Sequence, residues 1–238
     1  MGLMALGVVI FVLVYQKKFA EQRVNYQQVL LKASVESQER ERERIAAELH
    51  DGVGAMLAAT KLQVHRLSRQ GHQPEIVQDI KDTLARTIRE VRTISQGLSP
   101  LAVRRVGWVD SLGDYCKLID DASDIRISFT HSNIGRSKSF ITELSLYRVA
   151  QELIHNAMQH AHPTRIHIFL TVQNAMLRIE IESDGHPFNL SATQPGMGLL
   201  DVRRRLEILR GSLHQDTTPS FGSKLVVEVP LELYHKTT

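Results

Sequence analysis

From Phe19 to Gln70 the chain contains no proline, and its only glycines are Gly52 and Gly54, so more than fifty residues read as one nearly continuous helix. A helix of that length outruns the usual globular helix and has to lay its apolar stripe against other helices. Ile45, Leu49, Val53, Met56, Thr60, Gln63 and Leu67 recur at spacings of three or four, the seam of a coiled coil or bundle. The alternating Glu and Arg of residues 39–44 predict a solvated charged face with local ion pairs. Gly71 and Pro74 punctuate this helix, and a second amphipathic helix follows from Glu75 to Gln96 with Ile76, Ile80, Leu84, Ile88, Val91 and Ile94 on one face. Two antiparallel helices of this size leave a long apolar seam, which a second copy covers most simply as a dimeric four-helix bundle.

Ahead of the long helix, Met1 to Gln16 carry no charge and are followed at once by Lys17 and Lys18. Sixteen helical residues span about 24 Å, short of the roughly 30 Å hydrocarbon core, so the run predicts a marginal membrane anchor over residues 1–16, held by lipid thinning or snorkelling lysines. The absence of a basic region before the run and of a small-residue cleavage pattern after it argues against a secretory signal. The lysines behind it predict a single pass through the cytoplasmic membrane with the remainder on the cytoplasmic side. A buried helix, or a start that truncates a longer membrane region, is the alternative. A single Cys116 excludes an internal disulfide and suits a reducing compartment. Lys plus Arg exceed Asp plus Glu by only 29 to 26 with the signs interleaved, so no direct contact with nucleic acid is expected.

Beyond Pro100 the pattern changes to that of an α+β domain of about 130 residues. Helices are expected over Val109 to Ala122 and Ile141 to Ala161. Strands are expected over Ile125 to His131, Arg165 to Thr171, Met176 to Ile181 and Lys224 to Val229. The middle pair forms a hairpin about Gln173 and Asn174. Trp108 reads as a packing anchor at the domain's start.

Three clusters bear chemistry. His50 lies beside the seam residue Leu49, at the edge of the stripe, with Asp51 next in sequence. A carboxylate reaching Nδ1 of such an imidazole fixes its tautomer and leaves Nε2 as a nucleophile. Glu152, Asn156 and His160 fall at i, i+4 and i+8 of one helix, a polar stripe that either faces solvent or lines a cavity where Asn156 meets a hydrated Mg²⁺. In that cavity Glu152 polarises the attacking group and His160 donates to a phosphate. Downstream, Ser183-Asp184-Gly185, then Gly196-Met197-Gly198-Leu199 opening a helix, then Gly222-Ser223 opening a strand set glycines at element boundaries, where backbone N–H groups approach phosphate and Asp184 accepts from an amine such as adenine's. Zinc held by His155, His160, His162 and His167 is disfavoured, because the four straddle Pro163 without a ligand spacing.

In that order these pieces resemble a sensor histidine kinase with the third HisKA type of dimerisation domain, over roughly residues 39–231. Residues 43–51, Glu-Arg-Ile-Ala-Ala-Glu-Leu-His-Asp, look like the family's phosphoacceptor box, and residues 147–161 like its N box. Gly196 to Leu213, including Arg205, is similar to the second glycine box, and Gly222 to Pro230 to the closing strand of a GHKL-type ATP-binding domain. The resemblance implies a Bergerat-like α/β sandwich that binds ATP and Mg²⁺. His50 is then the phosphorylated nucleophile, Asp51 its acid/base partner, Glu152 a catalytic residue and Asn156 the metal ligand. His160, Asp184, Gly185, Gly196, Gly198, Leu199, Arg205, Gly222 and Ser223 line the nucleotide. The implied partners are a second copy and a response regulator with LuxR-type output.

Three departures follow from the same comparison. Ala55 stands where the family commonly has Gln, implying weak or absent phosphatase activity. Gln159 replaces a Lys of the N box, implying a higher KM for ATP. In the first glycine box Ser183 aligns with the adenine-binding Asp and Pro187 with a Gly, so either Asp184 takes the adenine role by a one-residue shift or the nucleotide binds less tightly.

The expected organisation is an anchor at 1–16, a coiled-coil signalling linker at 17–38, a dimerising phosphotransfer hairpin at 39–98 and an ATP-binding domain at 104–233, with no room for a separate sensor domain. A nucleotide-binding partner that does not turn over ATP is the alternative in a different class. A GHKL ATPase acting elsewhere is disfavoured, since it has no reason to carry a His-Asp pair on a dimerising hairpin.

Overall fold

A computed structural model describes residues 2–69, 74–187, 197–216 and 222–235. Across its described residues the proline-free stretch is helical: α1 (Gly2–Glu48), a single π turn (Leu49–Val53) and α2 (Gly54–Arg69) follow one another without a break. Gly71 lies outside the described residues. Pro74, which needs no N–H partner in a first helical turn, opens α3 (Pro74–Leu98). Residues 1–38 form one unit and residues 39–238 another.

In the first unit the rings of Phe11, Tyr15 and Phe19 stack successively along α1 at centroid distances of 6.2 and 6.4 Å. The expected membrane anchor over residues 1–16 is overturned: among the described residues no helix is long and apolar enough to cross a membrane. The physical reason is length. The uncharged run covers about 24 Å of helix, and the same helix carries Lys17, Lys18 and Arg23 straight after it. The expected single pass through the cytoplasmic membrane falls with the anchor.

In the second unit α2 and α3 pack as an antiparallel pair around Val64, Val77 and Leu84, with Leu57 and Ile88 against them. Leu84 and Ile88 of α3 belong to the stripe that periodicity selects, whereas Leu57 and Val64 of α2 do not. The π turn adds a residue to its turn, with the Gly54 N–H bonding the Leu49 carbonyl, and so shifts the phase of everything after it. Leu57 and Val64 therefore face α3, while Met56, Leu62, Leu67, Ile76, Ile80 and Ile94 stay exposed.

After α4 (Leu101–Val106) and α5 (Trp108–Ala122), the chain forms β1 (Arg126–His131), α6 (Phe140–Ala161), β2 (Arg165–Gln173), β3 (Met176–Ser183), α7 (Met197–Ile208), β4 (Ser212–Asp216), β5 (Ser223–Pro230) and α8 (Leu231–His235). The sheet order is β1-β2-β3-β5-β4, parallel only between β1 and β2. Alternation puts Ile166, Ile168 and Leu170 of β2, Leu177, Ile179 and Ile181 of β3, and Leu225, Val227 and Val229 of β5 on one buried face. The β2–β3 turn has positive φ at Asn174 and Ala175, the primed geometry that matches strand twist. The short elements α4, β4 and α8 were not anticipated.

α6 backs the buried face. Ser139 caps it by accepting from the Thr142 N–H at 3.3 Å, and Leu146, Val149, Ala150, Leu153 and Ile154 are fully buried. Trp108 closes the end of this core. Its indole N–H donates to the Tyr234 hydroxyl at 3.0 Å, and that hydroxyl in turn donates to the Gly135 carbonyl. Replacing Trp108 by Ala removes a large buried ring and one of the partners of the Tyr234 hydroxyl, so the unfolding free energy read from urea titration should drop by about 3–5 kcal/mol.

Candidate functional site

His50 and Asp51 both lie within the π turn and are exposed. One turn earlier the Ser95 hydroxyl of α3 donates to the Ala46 carbonyl at 3.0 Å, a buried bond that fixes α3 beside the turn. A cleft of about 310 Å³ adjoins His50. It is lined by Leu49, Gly54, Leu57, Ile88, Val91, Arg92 and Ser95, residues of the hairpin alone.

The second part of the site is a corner between α6 and α7. Glu152 is half-buried, Asn156 is 9% exposed and His160 is exposed, so the expected stripe runs from the interior to the surface along α6. Asn156 Nδ2 donates to Glu152 Oε1 at 3.4 Å, committing the donor end of the amide and leaving its oxygen as the acceptor end. The Glu152 carboxylate sits against the first turn of α7, where a Cβ on Gly198 would stand 1.8 Å from Oε1. Only glycine permits this approach, which sets a carboxylate at the positive end of a helix. Leu199 is buried beside it, and Gly196 lies outside the described residues.

Around the strand ends the backbones crowd in the same way. Gly222 has φ +82°, and a Cβ there would fall 2.2 Å from the Ser183 carbonyl. Gly185 lies against the Ala161 carbonyl at the end of α6. The Ser183 and Ser223 hydroxyls, both buried, share a hydrogen bond of 2.8 Å. The corner fits a hydrated cation and phosphates at Asn156, Glu152 and the start of α7: a buried amide oxygen, a nearby carboxylate and a cradle that a side chain would fill.

Two expected nucleotide contacts are committed elsewhere. Asp184 Oδ1 accepts the backbone N–H groups of Thr164 and Arg165, each at 2.8 Å, and Oδ2 accepts the Thr164 hydroxyl at 2.6 Å. A one-residue shift into an adenine role would have to break these bonds. Arg205 is fully buried, and its guanidinium bonds Asp201 at 3.0 Å and Glu39 at 2.7 Å instead of a ligand.

Glu39 is the residue the sequence reading missed. The expected solvated run divides by face. Arg44 pairs with Glu41 and Glu48 on the exposed side, while Glu39 is buried and also accepts from Arg148 Nη2 at 2.9 Å. Burial alone would raise the Glu39 carboxyl, but Arg148 and Arg205 outweigh it and hold it below the ordinary value. The legible signal is Arg148 itself, an arginine set between the apolar pairs Leu146-Tyr147 and Val149-Ala150. Cys116 is buried, and that burial pushes its thiol up to about 12. Among the described residues no group of three or more His, Cys, Asp or Glu gathers as for a metal.

Burial would raise the Asp184 carboxyl, but the bonds from Thr164 and Arg165 bring it down to about 2. A depressed carboxyl stabilises the fold fully above its unfolded value near 4 and loses that contribution as pH falls toward 2. Asp184→Asn should therefore lower the urea midpoint at pH 7, with the gap to wild type narrowing by pH 3 and nucleotide affinity unchanged.

The sequence matches the histidine kinase family model over residues 41–102 and the histidine kinase-, DNA gyrase B-, and HSP90-like ATPase model over residues 141–233. It is 26% identical over 204 residues to the signal transduction histidine-protein kinase/phosphatase DegS of Brevibacillus brevis, across 83% of this chain and 53% of that protein. It is 26% identical over 213 residues to the oxygen sensor histidine kinase NreB of Staphylococcus carnosus, across 87% of this chain and 61% of that protein. The chain thus spans little more than half the length of these curated relatives. The histidine kinase domain of the Erythrobacter litoralis EL346 blue-light activated histidine kinase superposes with a TM-score of 0.49 at 18% identity, covering 74% of this chain and 97% of that one. Matched in order by two models that together cover more than half of it, the chain belongs to the histidine kinases that join a phosphoacceptor domain of the third HisKA type to a GHKL-type ATP-binding domain.

Proposed function

We propose that this chain is a homodimeric two-component sensor kinase, which moves the γ-phosphoryl group of ATP to His50 and then to an aspartate of a response regulator, with LuxR-type output expected. The observation that carries the reading is the display of His50 and Asp51 on the one π turn of an otherwise regular helix, in a chain whose second domain builds the Glu152, Asn156 and Gly198 corner.

In the reaction Nε2 of His50 supplies the electron pair for a new N–P bond, and the bond from the γ-phosphorus to its bridging oxygen breaks, releasing ADP. Asp51 takes up the proton on Nδ1 as positive charge develops on the ring. Glu152, held by Asn156, orients the attacking imidazole or its proton. The start of α7 offers backbone N–H groups to phosphate oxygens. The oxygen of Asn156 would hold Mg²⁺, which would supply neutralisation of the phosphate charge. The exposed Met56 and Leu67 of α2 and Ile76, Ile80 and Ile94 of α3 supply the apolar face for the second copy.

The alternative is a nucleotide-binding partner without turnover. It is favoured by the commitment of Asp184 to Thr164 and Arg165, which leaves hydroxyls in place of a free carboxylate at the expected base pocket.

Incubation with γ-labelled ATP and Mg²⁺ should yield acid-labile, base-stable phosphoprotein that His50→Ala abolishes while nucleotide affinity stays unchanged. Binding of ATP with no such label would favour the alternative. Gly198→Ala should reduce labelling about tenfold or more, because its methyl group displaces the Glu152 carboxylate, an effect on the order of 1.4 kcal/mol in the barrier; a wild-type rate in this variant would remove Glu152 from the mechanism.

A further inference from the structure

We propose that Glu39, Arg148 and Arg205 form an autoinhibitory latch that parks the ATP-binding domain against α1, short of His50. The inference rests on the reading of His50 as the phosphoacceptor.

The three side chains are 9%, 2% and 1% exposed. Burying three formal charges is costly, so such a cluster persists only with close geometry and added hydrogen bonds. Glu39 supplies that geometry for both partners. Its Oε2 accepts from Arg148 Nη2 at 2.9 Å and Nε at 3.1 Å, and its Oε1 accepts from Arg205 Nη2 at 2.7 Å. Arg148 also donates to the Leu98 carbonyl at 2.7 Å and to the Gly97 carbonyl, holding the end of α3.

The placement of the partners gives the cluster its meaning. Arg148 lies one helical turn before Glu152 on α6, and Arg205 two turns after Gly198 on α7. One carboxylate of α1 thereby fixes both helices that build the nucleotide corner. His50 lies eleven residues further along the helical stretch that begins with α1, about 16 Å along its axis. The cleft beside His50 is lined by hairpin residues alone. In-line attack needs the imidazole and the γ-phosphorus about 3–3.5 Å apart, so the domain has to leave Glu39 before it can serve His50.

The cluster is also built to release. Arg205 Nη1 and Asp201 Oδ1 are buried with no hydrogen-bond partner among the described residues. Arg42 approaches Asp201 at 3.6 Å, so three guanidiniums share two carboxylates. Opening would hydrate the orphaned atoms and offset part of the lost attraction. Because Glu39 stands on α1, a twist of that helix moves it directly.

The test uses the full chain with Glu39→Gln, which keeps the shape and removes the charge, and with Glu39→Asp, which keeps the charge and shortens the reach. Two readouts are taken: the rate of acid-labile labelling at saturating ATP, and amide hydrogen exchange over residues 94–106. Glu39→Gln should exchange faster there and label about fivefold faster or more, with the label lost when His50→Ala is added. Glu39→Asp should fall between it and wild type, and it carries the test if circular dichroism shows Glu39→Gln unfolded. Unchanged exchange, or faster exchange with unchanged or slower labelling, would overturn the latch. No label in wild type or variant, with faster exchange in the variant, would instead overturn the reading of His50, and autoinhibition with it.

Discussion

The arrangement of the second unit depends on one buried carboxylate. Glu39 meets two buried guanidiniums, and through Arg148 it also reaches the carbonyls at the end of α3, so α1, α3, α6 and α7 converge on a single cluster. An apolar contact at this joint would tolerate sliding and rotation. A carboxylate between two forked donors does not, because a small displacement leaves charges unpaired in a dry environment. Replacing such clusters by packed hydrophobic residues often costs a protein nothing in stability, so their value lies in defining one arrangement against others. Here the defined arrangement is between a helix that leads to His50 and the two helices of the Glu152 and Gly198 corner.

The corner itself is set by backbone proximity. Gly198 against Glu152, and Gly222 against Ser183, are approaches that any Cβ would forbid. They bring a carboxylate to a helix start and two strand ends to each other, which explains why these glycines stand at element boundaries. Asp184 shows the opposite outcome. Its neighbour Ser183 faces inward to Ser223, while Asp184 turns to cap the start of β2 through Thr164 and Arg165. Alternation along a strand makes adjacent residues point to opposite faces, so a one-residue shift does not exchange their environments.

Much of this was legible from local pattern. The long helix, the alternating β2 and β3 and the placing of Glu152, Asn156 and His160 on one helix follow from propensity and period. What escaped the sequence has physical reasons. The α2 half of the hairpin stripe is out of phase because one extra residue in the π turn moves Leu57 and Val64 inward and Met56 outward, and periodicity assumes an uninterrupted helix. Glu39 was lost in an alternating charge run whose local pairs conceal a partner 109 positions away. Strand β4 is five residues long with one side open, too short for alternation to register. The uncharged first residues suggested a membrane anchor, but the apolar helical run is too short for one.

The π turn joins these points. A regular helix through Leu49–Val53 would keep one phase on both sides of His50, and a single stripe would then have to serve both the region of Glu39 and the packing of α2 on α3. One inserted residue separates the two tasks: before it, α1 turns Glu39 toward Arg148 and Arg205; after it, α2 turns Leu57 and Val64 toward α3. His50 and Asp51 fall at the change of phase, where neither packing surface claims them, and so remain exposed. Gly52, whose position would leave an added Cβ without a neighbour within 4 Å, keeps their surroundings open. The weak hydrogen-bond geometry of a π turn is the cost of that placement, and it sits where a rotation of the preceding helix would be absorbed before it reached the hairpin core.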